Sequence, residues 1–114
     1  MRRKRSPLPG TKVRGSTTGR PIMAALDLFG RRWALRILWE LRARPLTFRD
    51  LQQACGDISP AVLNTRLAEL RDAGIVAQET GGYRLSNDGV ALIDAIAPLH
   101  DWAEHWALRA RRQH

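Results

Sequence analysis

Residues 57–76, DISPAVLNTRLAELRDAGIV, constrain the fold more than any other segment because they carry the signals for both ends of a helix. Ser59 is a favoured N-cap, and Pro60 is a favoured first helical residue. Gly74 suits the left-handed position that follows the last turn of a helix. We therefore predict a helix over residues 59–73.

This helix should have a buried face of leucines and an outward face of small side chains. The buried stripe has i, i+4, i+7 spacing and consists of Leu63, Leu67 and Leu70. The outward positions near its start are Ser59, Pro60, Ala61, Asn64 and Thr65. Small side chains let a helix enter the major groove of B-DNA, where asparagine pairs with adenine and methyl groups meet that of thymine. An ordinary surface helix could show the same pattern, so the neighbouring elements decide between the two interpretations.

The segments around this helix predict an ordered set of further elements. Three helices should precede it, within residues 21–30, 31–44 and 47–55. Two short strands should follow it, over residues 75–80 and 83–86, with Gly81-Gly82 supplying the positive φ angles of a tight turn. The order predicts a mainly α protein with a small β-hairpin. This is a winged helix-turn-helix, in which the hairpin is the wing.

The C-terminal region contains an apolar seam that suits helix packing. Its members alternate in spacing between four and three residues, as a and d positions do: Leu92, Ile96, Leu99, Ala103, Trp106 and Ala110. Pro98 falls inside the seam and should kink or divide the helix, because proline has no amide hydrogen. We expect C-terminal helices over about residues 87–112.

The net charge of +8 is concentrated in the first twenty residues. Residues 1–20 hold seven basic side chains and no acid, whereas residues 21–114 hold 12 basic and 11 acidic ones. The composition of residues 1–20 predicts a disordered arm preceding one domain over residues 21–114. The arm either is a solvated leader or runs along DNA phosphates or the minor groove. Its densest cluster is Arg2, Arg3, Lys4 and Arg5.

Three arginines of the body are further candidates for contact with DNA. Arg66 lies on the flank of the outward face, where it either reaches a phosphate or pairs with a carboxylate of the body. Arg49 and Arg32 stand near the starts of the third and second predicted helices. Each of these two either contacts a phosphate or is a solvated arginine.

The remaining features bound the class of protein. No run of about 18 apolar residues exists and no apolar segment follows the basic N-terminus, so neither a membrane span nor a signal peptide is expected. Cys55 is the single cysteine, which fits a reducing compartment, and we expect a cytoplasmic, nucleoid-associated protein. Cys55 is either a buried apolar residue or a redox switch. No P-loop, dinucleotide fingerprint or nucleophile motif appears, so we do not expect an enzyme.

Histidines and tryptophans offer two weaker possibilities. His100 and Glu104 stand at i, i+4, but two ligands make a weak metal site, so no metal or other cofactor is expected. The four tryptophans serve core and dimer packing or form the walls of a small-molecule effector pocket. They are Trp33, Trp39, Trp102 and Trp106.

Five segments together resemble the HxlR-type winged helix-turn-helix regulators of bacteria. They cover about residues 21–106 and read ALDLFGRRWALRILWEL, FRDL, ISPAVLNTRLAELRDAGIV, YRLSNDG and LHDWAEHW. The resemblance implies a homodimeric transcription factor on a palindromic operator, with dimerisation through the first and the C-terminal helices. The residues that would form the dimer interface are Ile22, Leu26, Phe29, Leu92, Ile96, Leu99, Trp102, Ala103 and Trp106.

The sequence departs from the family pattern at three places. Arg20 replaces the cysteine that family members use to sense electrophiles, so this chain cannot sense them in that way. Gln78 stands where the wing commonly has an arginine, which leaves Arg84 as the only cation of a short wing. Thr47 replaces an arginine before the third helix, with Arg49 nearby as compensation. Thr47 and Arg84 complete the set of candidate DNA contacts.

The sequence thus predicts a sequence-specific, DNA-binding transcriptional regulator. It should act as a homodimer through the helix over residues 59–73, with a small-molecule effector as a possible further partner. The alternative is a winged-helix protein-interaction module that has lost specific DNA binding, which the nearly neutral body and short wing would favour.

Overall fold

The computed structural model describes residues 20–113 of the chain. The predicted basic arm, with Arg2, Arg3, Lys4 and Arg5, lies outside the described residues except for Arg20. The elements are α1 (Pro21–Phe29), α2 (Ala34–Glu40), α3 (Phe48–Ala54), α4 (Pro60–Asp72), β1 (Val76–Glu79), β2 (Gly82–Leu85) and α5 (Asn87–Gln113). This order agrees with the predicted winged helix-turn-helix. Within residues 20–113, no helix combines the length and the apolar character that crossing a membrane requires.

The predicted starts of α3 and α4 are confirmed by their N-cap contacts. The Thr47 hydroxyl accepts the Asp50 amide hydrogen at 3.0 Å, and the Ser59 hydroxyl accepts that of Val62 at 3.1 Å. Each contact satisfies one of the free N–H groups that begin a helix. Gly74, with φ of +78°, follows the end of α4 in the left-handed conformation that glycine adopts without strain.

The second helix is shorter than predicted. It spans Ala34–Glu40, whereas the periodicity favoured a helix within residues 31–44. Trp33 precedes it with φ of +77°, a left-handed conformation that no α-helix can include. At the other end, both the amide and the side chain of Arg42 donate to the Trp39 carbonyl oxygen, at 3.2 and 2.7 Å, which closes the helix with a tight final turn.

The expected division of the C-terminal region at Pro98 is wrong. The single helix α5 continues through this residue from Asn87 to Gln113. Proline removes one backbone hydrogen bond, the one to the carbonyl of Asp94. Pro98 and Asp94 are both exposed, so water can satisfy that carbonyl and the helix can continue.

The turn of the wing lies one residue earlier than predicted. Glu79 pairs with Gly82 in the antiparallel register, so the two-residue turn is Thr80-Gly81 and not Gly81-Gly82. Gly81 supplies the positive φ of the turn, +83°. Gly82 instead belongs to β2, where a Cβ atom would lie 2.9 Å from the Leu46 carbonyl oxygen.

This close approach occurs because Leu46 is paired with the hairpin. The Leu46 amide donates to the Tyr83 carbonyl at 3.0 Å, and the Tyr83 amide donates to the Leu46 carbonyl at 2.8 Å. The extended link before α3 is thereby attached to the wing.

One apolar core holds all these elements. The leucine stripe of α4 is fully buried at the centre of this core, as predicted. The core consists of Leu28, Ile37, Leu38, Leu41, Leu46, Leu51, Cys55, Ile58, Leu63, Leu67, Leu70, Val76 and Leu85. Leu63, Leu67 and Leu70 of α4 belong to this core and are fully buried. Because truncation leaves a cavity, changing any one of these three leucines to alanine should lower the free energy of unfolding by about 2–5 kcal/mol.

Candidate nucleic-acid interface

The predicted outward face of α4 is exposed along its first turns. All five of its predicted residues are accessible to solvent: Ser59, Pro60, Ala61, Asn64 and Thr65. The Thr65 hydroxyl donates to the Ala61 carbonyl at 2.9 Å, so it is bonded within the helix. The Asn64 amide projects from a helix that its leucines hold against the core. The side chains of this surface are small, which suits the major groove.

The turn between α3 and α4 sets the direction in which α4 leaves the body. Gly56 and Asp57 both have positive φ, +72° and +62°. The Gln52 side-chain amide donates to the Ile58 carbonyl at 2.9 Å, and the Asp57 amide donates to the Gln52 carbonyl at 3.0 Å. These bonds fix the tight turn of the helix-turn-helix.

Arg66 takes the second of its two predicted alternatives and pairs with a carboxylate of the body. Its Nη1 lies 2.7 Å from Oε1 of Glu69, and its Nε donates to the Arg32 carbonyl oxygen at 2.8 Å. The guanidinium group is therefore directed at the protein. Contact between Arg66 and a phosphate would require these bonds to be exchanged.

Arg31 is a residue whose role the sequence reasoning missed. It pairs with Glu69 and, at 3.2 Å, with Asp27. The i, i+4 spacing of Asp27 and Arg31 is visible in the sequence. The contact with Glu69 joins residues 38 positions apart and depends on the packing of α4.

Three other candidate DNA contacts lie on exposed surface. Arg49 and Thr47 stand at the start of α3, with the Thr47 hydroxyl engaged in its cap. The Arg32 side chain is exposed, and its guanidinium carbon lies 5.7 Å from the centre of the Trp33 ring. The structure leaves Arg49 and Arg32 accessible to a phosphate.

The cation of the wing is paired within the hairpin. Arg84 Nε lies 2.5 Å from Glu79 Oε1, and its Nη1 donates to the Leu85 carbonyl at 3.1 Å. The Gln78 amide group lies 3.4 Å from the Tyr83 hydroxyl. The positive charge that the wing presents to solvent is therefore balanced by Glu79.

The predicted dimer residues divide into an exposed set and a set that packs on the chain's own core. Leu26 and Trp106 remain 58% and 56% exposed, and the exposed set is Ile22, Leu26, Leu99, Trp102 and Trp106. Ile96 and Ala103 are half-buried. Phe29 and Leu92 instead pack against the core, because the ends of α1 and α5 that carry them lie over it. For these two residues the structure shows a contribution to the core.

Trp102 and Trp106 form a stacked pair on α5. Their ring centres are 5.5 Å apart and the rings are inclined by 15°. The two stacked indoles, each about half-exposed, together make an apolar surface on α5. Such a patch on a small domain is typical of a protein interface.

His100 and the other two tryptophans have packing roles. His100 stacks on Trp39 at 5.2 Å, with Nε2 3.7 Å from Glu104, and the Arg42 guanidinium lies 3.9 Å from the centre of the Trp39 ring. Trp33 packs against the core. Within the described part of the chain, no group of three or more potential ligands is arranged to hold a metal ion.

Cys55 is a core residue with 1% of its surface exposed. Burial raises the pKa of the Cys55 thiol, an effect that nearby Arg36 opposes and Glu40 reinforces. The protonated thiol therefore dominates near neutral pH. This favours the interpretation of Cys55 as a buried apolar side chain over a redox switch.

Residues 28–111 match the family model described as HxlR-like helix-turn-helix. A curated relative, the HTH-type transcriptional regulator YvaP of Bacillus subtilis (strain 168), is 28% identical, and the match covers 72% of this chain and 82% of YvaP. The crystal structure of quinone-bound YodB from B. subtilis is 30% identical with a TM-score of 0.69, covering 74% of this chain and 96% of that one. A transcriptional regulator of the MarR family from Enterococcus faecalis V583 is 28% identical with a TM-score of 0.70, covering 90% and 99%.

The family match spans α2 to α5 and therefore includes the complete helix-turn-helix and the wing. The similar structures confirm the winged helix-turn-helix architecture. The chain belongs to the HxlR-like helix-turn-helix family and is a DNA-binding transcriptional regulator.

Proposed function

We propose that this regulator binds a palindromic operator as a homodimer and inserts α4 of each chain into the major groove. Two half-sites on one face of B-DNA would place the two helices about 34 Å apart. The observation that carries the proposal is the exposed row Ser59, Pro60, Ala61, Asn64 and Thr65 on a helix whose other face is fixed in the core. Asn64 is the base-reading residue with the most specific chemistry, since its amide can pair bidentately with adenine.

The homodimer is proposed from the apolar surface of α1 and α5. We define the dimer face as Ile22, Leu26, Leu99, Trp102 and Trp106, together with half-buried Ile96 and Ala103 of the same α5 seam. Burying an indole or a leucine removes a large apolar area from water, at about 25 cal/mol per Å². A second copy that presents the same residues across a two-fold axis would cover this surface.

Affinity for phosphates is proposed to come mainly from outside the wing. Arg66 and Arg84 are paired with carboxylates, so among the candidate DNA contacts of the body the accessible cations are Arg49 and Arg32. We assign the remaining salt-dependent affinity to the basic arm, through Arg2, Arg3, Lys4 and Arg5. Deletion of residues 1–20 should then reduce the slope of log affinity against log salt concentration.

The substitution Asn64→Asp tests α4 as the recognition helix. Because a carboxylate cannot donate to adenine N7 and is repelled by phosphates, operator affinity should fall by about tenfold or more. Asn87→Asp is a matched control, as it makes the same change at the exposed first residue of α5. Affinity is measured by mobility shift on an operator selected from genomic fragments, with light scattering to monitor the dimer. Unchanged operator binding by Asn64→Asp would refute the assignment.

A protein-interaction module without specific DNA binding is the second candidate function. The pairing of Arg66 and Arg84 favours it, because it lowers the charge available beside α4 and on the wing. The discriminating measurement is binding of residues 21–114 to random duplex DNA at low salt. A complete lack of binding would support the protein-interaction module, whereas weak, salt-sensitive binding supports the regulator.

A small-molecule effector is a further proposal, supported by the similar structure of quinone-bound YodB. Since Arg20 stands where electrophile-sensing relatives have a cysteine, we expect any effector of this chain to bind without a covalent bond at that position. The tryptophans of α5 would line its site at the dimer face. A ligand-induced rise in Tm that is lost in Trp106→Ala would support this site.

We expect the regulator in the cytoplasm, where the DNA is.

A further inference from the structure

Four charged side chains form an ion cluster between the recognition helix and the first helix. The cluster is Asp27, Arg31, Arg66 and Glu69. Glu69 is its centre: it accepts from Arg66 at 2.7 Å and also from Arg31, which in turn pairs with Asp27 at 3.2 Å. Two carboxylates and two guanidinium groups balance each other in charge.

The cluster spans three parts of the fold. Arg66 and Glu69 are on α4, Arg31 is in the turn between α1 and α2, and Asp27 is on α1. The Arg66 Nε also donates to the Arg32 carbonyl oxygen at 2.8 Å, which ties the same turn to α4 through its backbone. The edge of α4 next to its outward face is thus attached to the C-terminal end of α1.

The four side chains are only 18–25% exposed, so these ion pairs are shielded from much of the solvent. Shielded pairs with several partners hold a more defined geometry than exposed ones, which contribute little. Removing one member leaves its partners charged and partly buried, so the cluster should rearrange as a unit. The cluster therefore ties α1 and the turn after it to α4 through charged side chains.

We infer that Glu69 is a positioning residue that, through the ion cluster, sets the separation of the two recognition helices in the dimer. The inference rests on the proposed function. α1 carries Ile22 and Leu26 of the dimer face on one side and Asp27 of the ion cluster on another. A shift of α1 relative to the partner is therefore transmitted to α4 through Arg31 and Glu69. Glu69 itself contacts no DNA in the proposed complex.

A series of operators with altered spacing tests this role. Moving one half-site by one base pair displaces it by about 3.4 Å and rotates it by about 35° around the DNA axis. The natural protein should discriminate sharply against such operators. Glu69→Gln keeps the size of the side chain but removes the charge that holds both arginines. It should lower affinity for the natural spacing by about tenfold and lower affinity for shifted spacings much less.

The shape of this spacing profile separates positioning from a merely structural role. A variant that only destabilises the fold would lose affinity by the same factor at every spacing, since it only lowers the fraction of folded dimer. Glu40→Gln is the matched control. It makes the same change of charge in another glutamate that pairs with an arginine, Arg36 at 2.9 Å, but on α2. Its profile should keep the sharpness of the natural protein.

A second variant keeps the test decisive if Glu69→Gln does not fold. Arg31→Lys retains the charge, but a single ammonium group cannot reach Asp27 and Glu69 with the planar fork of a guanidinium. It should flatten the spacing profile in the same direction. Because both changes act on one cluster, the double variant should lose less than the product of the two single effects.

The outcomes also separate this inference from the proposed function. If the natural protein binds a palindromic operator but Glu69→Gln and Arg31→Lys keep its spacing preference, the inference is overturned and the proposed function stands. If the natural protein has no spacing preference on any selected duplex, that result contradicts the proposed function itself, namely a homodimer that binds a palindromic operator. A flattened profile with an intact dimer supports the inference.

Discussion

Arg66 and Arg84 stand on the two parts of the molecule that are nearest to DNA in the proposed complex, yet both direct their guanidinium groups to carboxylates of the chain. Arg66 lies three residues before Glu69, so this pairing was one of the alternatives visible in the sequence. Arg84 faces Glu79 across the hairpin, a contact that depends on the register. The consequence is little free charge beside the outward face of α4, so in the proposed complex discrimination would rest on Asn64 and its small neighbours.

Cys55 predicts a pH dependence of stability. Burial raises its pKa in the folded state above the ordinary value of 9.0. Below about pH 9 the thiol is protonated in both states and contributes no slope. Above it the unfolded chain releases a proton that the folded chain retains, so stability falls as pH rises, by at most about 1.4 kcal/mol per pH unit.

The measurement for Cys55 is the free energy of unfolding in urea at pH 8 and pH 10, under reducing conditions. Cys55→Ala is the reference, since it removes the titrating group and leaves the other titrating groups in place. The natural protein should lose more stability between these pH values than Cys55→Ala does. Equal losses would show that the thiol is not shielded from solvent.

The start of α5 shows how one element is held against another. The Ser86 hydroxyl lies 2.6 Å from the Gly74 carbonyl oxygen and 3.0 Å from that of Ile75, and it accepts the Gly89 amide hydrogen at 3.1 Å. A Cβ atom at Gly89 would lie 2.3 Å from the Ile75 carbonyl oxygen and 3.1 Å from the Cβ of Leu85. The helix therefore needs glycine here to approach the wing.

Gly89→Ala should destabilise the protein although alanine is the better helix former. The clash requires α5 and the base of the wing to separate, which should cost about 1–3 kcal/mol of unfolding free energy. Val90→Ala at the next, half-exposed position should change stability by less than about 0.5 kcal/mol. Urea denaturation of both variants checks the difference. A stabilised Gly89→Ala protein would contradict the close packing.

The elements themselves were largely predictable because their signals are local. The Ser59-Pro60 start, the leucine stripe and the glycine after α4 were enough to identify that helix and its buried face. The early end of α2 and the continuity of α5 through Pro98 were not predictable, since neighbouring elements and solvent decide both. The contact between Arg31 and Glu69 likewise depends on how α4 packs, which no local pattern reveals.

At the scale of the whole molecule, the proposed dimer face would cover Ile22, Leu26, Leu99, Trp102 and Trp106, five of the large apolar side chains that residues 20–113 leave exposed. Trp102→Glu should convert the proposed dimer into a monomer, because it would place a charge within the apolar dimer face. The substitution should leave the fold intact, since Trp102 is half-exposed and lies outside the core. Light scattering at micromolar concentration gives the mass, and circular dichroism checks the helices.

Val90→Glu provides the control for this prediction. Val90 is also half-exposed on α5, but it lies outside the seam that runs through Leu92 and Ile96. Val90→Glu should remain a dimer. If Trp102→Glu remains a dimer, the partner binds to another surface. Equal dissociation of both variants would likewise contradict the proposed dimer face.

Methylation interference on a selected operator tests the central claim most directly, because guanine N7 lies in the major groove. We predict two clusters of interfering guanines whose centres are about 10 base pairs apart on one face of the duplex. Asn64→Asp should weaken the complex that gives both clusters. A single cluster, or interference confined to the minor groove, would contradict a homodimer that reads a palindrome through α4.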